Sequence, residues 1–204
     1  LLGPDELLQA VARDGTGEGL TRPELAVIAA YTKIALMAQL RASDLPDDPW
    51  FRRALVNYFP SSITARFDAA LDAHPLHREI ITTCVVNDVV NNAGISFVFR
   101  AAEEQGTSVA HILRAYTVTR EVFDLEAIWS RIEALGETGG SRAAQEIAYL
   151  EVRRLVDRST RWLLDHRFPI SDVASEIARY QPVIADLAAK VPGLLRGVER
   201  DNLT

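Results

Sequence analysis

The stretch LHREIITTCVVNDVVNN, from Leu76 to Asn92, decides the fold class. Its branched aliphatic residues lie on all sides of a helical wheel: they are Ile80, Ile81, Val85, Val86, Val89 and Val90. A helix that is apolar all round is usually buried among other helices. We therefore predict a compact α-helical bundle with Ile81, Val85 and Val89 near its centre.

Signals for further helices lie on both sides of this stretch. Thr21-Arg22-Pro23-Glu24 has the Thr-x-x-Glu spacing of a capping box and predicts a helix from Arg22 to Arg41. Asp48 and Pro49 begin a helix that Pro60 ends. The same reasoning predicts helices at Ser62–Ala73, Ile95–Glu104, Ser108–Phe123, Leu125–Leu135, from Ala144 until Pro169, and at Ser171–Lys190, where Pro182 should kink or divide the helix. No segment alternates like a strand, so we predict an all-α bundle of about eight to ten helices without significant sheet.

The domain organisation follows from the glycine-rich stretches. We predict an arm over residues 1–19, with a short helix at Leu7–Arg13 and a flexible loop at Asp14–Gly19. Residues 20–204 are predicted to form one helical domain, with an interior linker at Gly136–Gly140. The first residues carry neither an initiator Met nor a signal-peptide pattern, so we expect a piece cut from a longer polypeptide.

The composition excludes several classes of protein. Hydrophobic residues make up 48% and charged residues 25%, a balance typical of globular proteins. The apolar runs are shorter than the roughly 20 residues that cross a bilayer, so no membrane partner is expected. A net charge of −6 argues against nucleic acid, which attracts basic surfaces. The single cysteine, Cys84, suits a reducing compartment, and we expect a cytoplasmic protein.

Four arginines lie along one predicted helix: Arg153, Arg154, Arg158 and Arg161. Glu151 and Asp157 are spaced to pair with Arg154 and Arg161, which favours an exposed face of salt bridges over a site for an anionic partner. Both interpretations stay open for this helix.

No complete catalytic or cofactor-binding motif stands out. Gly15-Thr16-Gly17-Glu18-Gly19 has the wrong spacing for a dinucleotide loop, follows no strand and contains an acid where phosphates would lie. The two lysines, Lys33 and Lys190, lie on predicted helices without convergent partners. We therefore predict no catalytic and no cofactor-binding residue in this chain.

Metal and nucleophile sites are weakly supported as well. His74, His77 and Glu79 lack a further ligand for a metal ion. Cys84 has no basic surroundings to stabilise a thiolate for a triad with His111, and is better interpreted as a small buried hydrophobe. The acidic run Asp44–Asp48 has no matching aspartates on a facing helix, so no Mg²⁺-diphosphate clamp is predicted. We predict no metal site.

The most unusual feature is the polar group Asn87, Asp88, Asn91 and Asn92 within the apolar stretch. Asn87 and Asn91 share a helical stripe with Ile80 and Cys84, so these amides are expected to enter the core or a domain interface. Buried amides need hydrogen-bond partners. One interpretation is a polar seam that fixes helix register, and the other is a docking contact to another part of the protein.

Five segments together carry a resemblance: LTRPELAVIAAYTKIAL (Leu20–Leu36), ASDLPDD (Ala42–Asp48), REIITTCVVNDVVNNAGISFVFRAAEEQG (Arg78–Gly106), AYTVTREVFDLEAIW (Ala115–Trp129) and RSTRWLL (Arg158–Leu164). In this order they resemble the C-terminal helical region of the large bacterial NAD-dependent glutamate dehydrogenases.

The resemblance implies a parent enzyme that interconverts L-glutamate with 2-oxoglutarate and ammonia and uses NAD as cofactor. It implies a catalytic domain upstream as the partner of this chain and a homo-oligomeric parent. None of the family's catalytic residues has a matching position here, so none is assigned. We expect a helical domain that is structural, assembles the enzyme or regulates it. The alternative is a stand-alone, non-enzymatic helical module that binds another protein.

Overall fold

The computed structural model describes residues 19–137 and 142–194. The described residues fall into two compact units, one that ends at Glu104 and one that begins at Gln105. They form nine α-helices and two short 3₁₀ turns and contain no strand, which confirms the predicted all-α fold. The predicted helix at Leu7–Arg13 and nearly all of the predicted arm lie outside the described residues, as do residues 138–141 around the Gly136–Gly140 linker. The predicted division at residue 20 stays a prediction.

The first five helices of the described chain come before the core of the second unit, which is described below. They are α1 (Arg22–Arg41), α2 (Arg52–Tyr58), α3 (Ser61–Leu71), α4 (His77–Ala93) and α5 (Phe97–Gln105), with the 3₁₀ turns Leu45–Asp47 and Pro49–Phe51 between α1 and α2. The predicted bounds of α1 are confirmed. Its start is fixed by Glu24, whose carboxylate accepts hydrogen bonds from the backbone N–H and the hydroxyl of Thr21, each at 2.7 Å.

The core of the first unit is centred on α4. This helix packs against α1 and α2. Ile81, Val85 and Val89 are buried, as predicted, together with Val86 and Val90. Gly94 ends the helix with a φ of +104°, a conformation that favours glycine because it has no Cβ.

The second unit contains α6 (Val109–Val122), α7 (Leu125–Glu137), α8 (Arg142–Arg167) and α9 (Val173–Leu194). Helix α6 packs against both α8 and α9, and α7 packs against α8. Every residue from Ile112 to Thr119 is buried. The helix that is buried on all sides is therefore α6, for which the sequence analysis predicted only a helix at Ser108–Phe123. The threonines of α6 look like exposed polar positions in the sequence. They can be buried because a threonine hydroxyl can donate a hydrogen bond within its own helix, as Thr117 does to the carbonyl of Leu113 at 2.8 Å.

Helix α9 continues through Pro182 as a single element. The prediction that Pro182 divides the helix is therefore wrong, and the alternative of a kink stays a prediction. A proline removes only one intrahelical hydrogen bond of its own, and the packing of flanking turns can outweigh that loss. Ile177, one turn before the proline, is buried, and Ile184 after it is half-buried.

Candidate functional site

A cleft of about 420 Å³ opens between α6, α8 and α9 in the second unit. Its volume is within the range of about 300 to 1,000 Å³ that is usual for small-molecule sites. The residues that line it are mainly aliphatic and aromatic: Val118, Thr119, Val122, Phe123, Arg158, Ser159, Trp162, Leu163, Tyr180 and Ile184. We refer to this feature as the α8–α9 cleft.

Aromatic contacts hold one wall of the α8–α9 cleft. The Trp162 and Tyr180 rings make a T-shaped contact with centroids 5.8 Å apart, and the Trp162 ring stacks on His166 at 4.7 Å. The His166 ring is fixed in turn, since its Nδ1 lies 2.8 Å from the carbonyl oxygen of Trp162. Despite these contacts, Trp162 remains 47% exposed. A large indole that is held in place and open to solvent is available for contact with another molecule.

The polar side chains of the cleft are Thr119 on α6, Arg158 and Ser159 on α8, and Tyr180 on α9. The Thr160 hydroxyl donates to the Thr119 hydroxyl oxygen at 3.4 Å inside the core. Arg154 pairs with Glu151, and Arg161 pairs with Asp157 at 3.0 Å, as the sequence predicted. Arg158 lies between them and has no ion pair with any residue that the structure describes.

An ion pair fixes α9 against the end of α8. The guanidinium of Arg167 donates to the carboxylate of Glu176 through Nε at 3.0 Å and Nη2 at 2.6 Å. The hydrogen bond from Arg167 lowers the pKa of Glu176 below its ordinary value of 4.5. The same bond raises the pKa of Arg167. Two parallel bonds restrict orientation as well as distance, so this pair helps to set the angle of the α9 wall.

The apolar face of α9 extends beyond the cleft. Ile177, Tyr180, Ile184, Leu187 and Val191 follow one another at spacings of three and four residues and therefore share one stripe of the helix. Ile177 is 5% exposed, whereas Leu187 is 50% and Val191 38% exposed. We call Leu187, Val191 and the neighbouring exposed Val183 the outer stripe. Among the described residues, nothing covers it.

The polar group singled out in the sequence is half-buried or exposed in the described first unit. Asn91 is exposed and accepts a hydrogen bond from Lys33 Nζ at 3.0 Å. Asn92 donates to the Asp88 carboxylate at 3.0 Å, and Asn87 is half-buried. The core placement expected for Asn91 is therefore not seen in the described unit, and the alternative of a domain interface stays open. A docking role for these four residues stays a prediction.

The other candidate residues have local partners. The N–H of Leu76 donates to His74 Nδ1 at 3.1 Å, and Arg41 reaches Glu79 at 3.5 Å. Within the described part of the chain, no group of three metal-ligating side chains comes together. Burial raises the pKa of the half-buried Cys84, which disfavours a thiolate. Lys190 pairs with Asp186 at 2.5 Å. None of the helices in residues 19–137 and 142–194 is both long enough and apolar enough to span a bilayer.

Sequence reasoning missed the α8–α9 cleft. Ser159, Trp162 and Leu163 lie at helical spacing in the sequence, and this spacing indicates only that one face of the helix is apolar. Which helices meet that face is a tertiary property, and the pairing of α6 with α9 joins segments about 60 residues apart, as the bond from Gln181 to the Glu121 carbonyl illustrates.

Comparison with known proteins gives a consistent result. Residues 17–204 match the family described as glutamate dehydrogenase, C-terminal. The NAD-specific glutamate dehydrogenase of Mycobacterium tuberculosis is 37% identical over 188 residues, which cover 92% of this chain and 11% of that protein. The enzyme of the same name from Halomonas elongata is 38% identical over 97% of this chain, and that of Pseudomonas aeruginosa 39% over 93%, each match covering 12% of the relative. The chain thus spans about an eighth or less of the length of these relatives. It belongs to the family of glutamate dehydrogenase C-terminal regions, as its sequence motifs implied.

Proposed function

We propose that this chain is a non-catalytic helical domain that docks onto the remainder of an NAD-dependent glutamate dehydrogenase and supports its productive arrangement. The parent enzyme converts L-glutamate to 2-oxoglutarate and ammonia with NAD as cofactor, and the substrate and NAD bind outside this chain. The names of the relatives support this assignment for the parent.

The observation that carries the proposal is the uncovered outer stripe. Its aliphatic side chains continue a stripe that is buried at its beginning, so the helix is patterned for a second contact beyond the cleft. Contiguous exposed apolar surface in a soluble protein commonly marks an interaction site. Most of the length of each relative lies outside the matched region, and we assign this remainder as the partner that covers the stripe.

The side chains of this region support a role without chemistry of its own. Oxidising an amino acid requires a group poised for proton transfer, a role that lysines often fill, and both lysines of this chain are engaged, Lys33 by Asn91 and Lys190 by Asp186. NAD binding requires backbone amides at a glycine-rich turn between a strand and a helix. The all-helical fold of the described residues supplies no strand for such a turn.

The location and assembly of the parent are part of the proposal. The lone cysteine supports a cytoplasmic enzyme. The resemblance implies a homo-oligomer. A regulatory contribution is compatible with the same docking surface, since a domain that positions the catalytic part can also change its arrangement.

Turnover of the complete enzyme tests the docking role. We expect Leu187→Glu to lower turnover roughly tenfold to a hundredfold, because misplacement of reacting groups by about 1 Å can cost roughly a hundredfold in rate. Ala189→Glu is the matched control, since this exposed residue lies across the same helix from Leu187. Equal turnover of the two variants and the parent would refute the docking role.

Titration of the isolated chain with NAD tests the absence of cofactor binding. Isothermal titration calorimetry should show no saturable heat at millimolar NAD, with or without glutamate. Micromolar affinity would contradict the proposal, whatever the outcome for Leu187.

A further inference from the structure

The α8–α9 cleft differs chemically from the outer stripe. The stripe is aliphatic, whereas the cleft combines aliphatic and aromatic walls with a cation and hydroxyl groups. Apolar walls with a few placed polar groups are the usual composition of a small-molecule site, in which the polar groups select and orient the ligand. The cleft and the outer stripe therefore suit different kinds of ligand.

Arg158 is the cation of the cleft, and it has no ion pair within the part of the chain that the structure describes. An arginine on a helix is usually neutralised by an acid three or four residues away. For Arg158 these positions hold Arg154 and Leu155 on one side, and Arg161 and Trp162 on the other. Both neighbouring arginines have their own carboxylate. The guanidinium of Arg158 is thus available to an anion that enters the cleft.

The walls indicate what accompanies the anion. Aromatic surface comes from Phe123 just after α6, Trp162 on α8 and Tyr180 on α9, and Val122 and Ile184 supply aliphatic surface. Such walls favour an apolar body, which gains free energy when it leaves water. A single unpaired cation matches a single negative charge. A dianion or pyrophosphate would need a cluster of donors, which the described lining does not contain.

We propose that the α8–α9 cleft binds a small amphipathic monocarboxylate, with its aliphatic or aromatic body between Trp162 and Tyr180 and its carboxylate against Arg158. The Ser159 hydroxyl, which lines the cleft beside Arg158, can donate a second hydrogen bond. The proposal concerns this chain alone and does not depend on docking to the remainder of the enzyme.

Three probes with one apolar body test the charge requirement: phenylbutyrate, phenylbutanol and phenylbutylamine. Their affinities for the full chain are measured by isothermal titration calorimetry at one fixed salt concentration. We expect phenylbutyrate to bind roughly tenfold more tightly than phenylbutanol, which corresponds to one charge-assisted hydrogen bond. Phenylbutylamine should bind most weakly, because its ammonium group faces a guanidinium.

Two matched variants locate the site. Arg158→Gln removes the charge of an exposed side chain and should abolish the preference for phenylbutyrate while leaving phenylbutanol unchanged. Arg153→Gln changes another exposed arginine, on a different face of α8, and should leave all three affinities unchanged. Absence of saturable phenylbutyrate binding would overturn the proposal. Equal binding of the three probes would also overturn it, because it would indicate an apolar surface that does not select charge and that suits a polypeptide. A preference for phenylbutyrate that survives in Arg158→Gln would overturn it as well.

Discussion

The centre of the second unit is where a single truncation should cost the most stability. Leu113 on α6 is fully buried, as are Ile112 beside it and Tyr116 one turn later. Leu113→Ala removes three carbon atoms, which corresponds to about 2.4 kcal/mol of lost apolar transfer free energy at about 0.8 kcal/mol per buried carbon. Because α8 and α9 both pack against α6, the neighbouring side chains cannot move freely into the cavity that the truncation leaves. The residual cavity brings the expected loss to about 3 to 5 kcal/mol.

Urea denaturation followed by far-ultraviolet circular dichroism measures this loss. The midpoint should fall without a change in slope, since the surface exposed on unfolding stays nearly the same. Leu150→Ala on α8 is the control, because Leu150 is 52% exposed and its truncation should cost about 0.5 kcal/mol or less. A loss below about 1 kcal/mol for Leu113→Ala would refute the assignment of α6 as the packed centre.

Three further substitutions test the two units. Val85→Asp places an unpaired carboxylate in the core of the first unit and should abolish cooperative melting, so a variant that melts like the parent would contradict the buried face of α4. Glu176→Gln should lower the free energy of unfolding at pH 7. The difference in unfolding free energy between variant and parent should disappear as the pH falls below 4.5 and through the lowered pKa of Glu176. At that pH the parent loses its carboxylate charge as well. A difference that stays constant in thermal melts from pH 7 to pH 2 would refute this linkage. Asn91→Ala should cost about 0.5 kcal/mol or less in urea denaturation, because the amide is exposed, and a loss above about 1 kcal/mol would restore a buried role.

The helices could be predicted where their signals are local. The capping box at Thr21 and Glu24 fixed the start of α1, and its predicted end at Arg41 is confirmed. The burial of α4 could be predicted from its valines, because exposing several of these apolar side chains to water would cost free energy. Capping and hydrophobic periodicity depend on residues within a few turns, so one sequence contains the required information.

What the sequence did not reveal depends on distant residues. The threonines of α6 read as polar positions, and only the surrounding helices show that these side chains are buried. The position of Asn91 depended on a rotation of α4 by a fraction of a turn, which hydrophobic periodicity does not resolve when apolar residues occupy every side. The α8–α9 cleft arises where three helices meet, and no local pattern specifies that meeting.

Direct binding between this chain and the remainder of the enzyme tests the central claim most closely. The chain would be titrated calorimetrically into a glutamate dehydrogenase polypeptide that lacks this region. The account predicts a saturable one-to-one complex that Leu187→Glu weakens at least roughly tenfold, since a charge would replace an apolar contact, while Ala189→Glu leaves it unchanged. Absence of a complex, or a complex that both variants form as tightly as the parent chain, would contradict it.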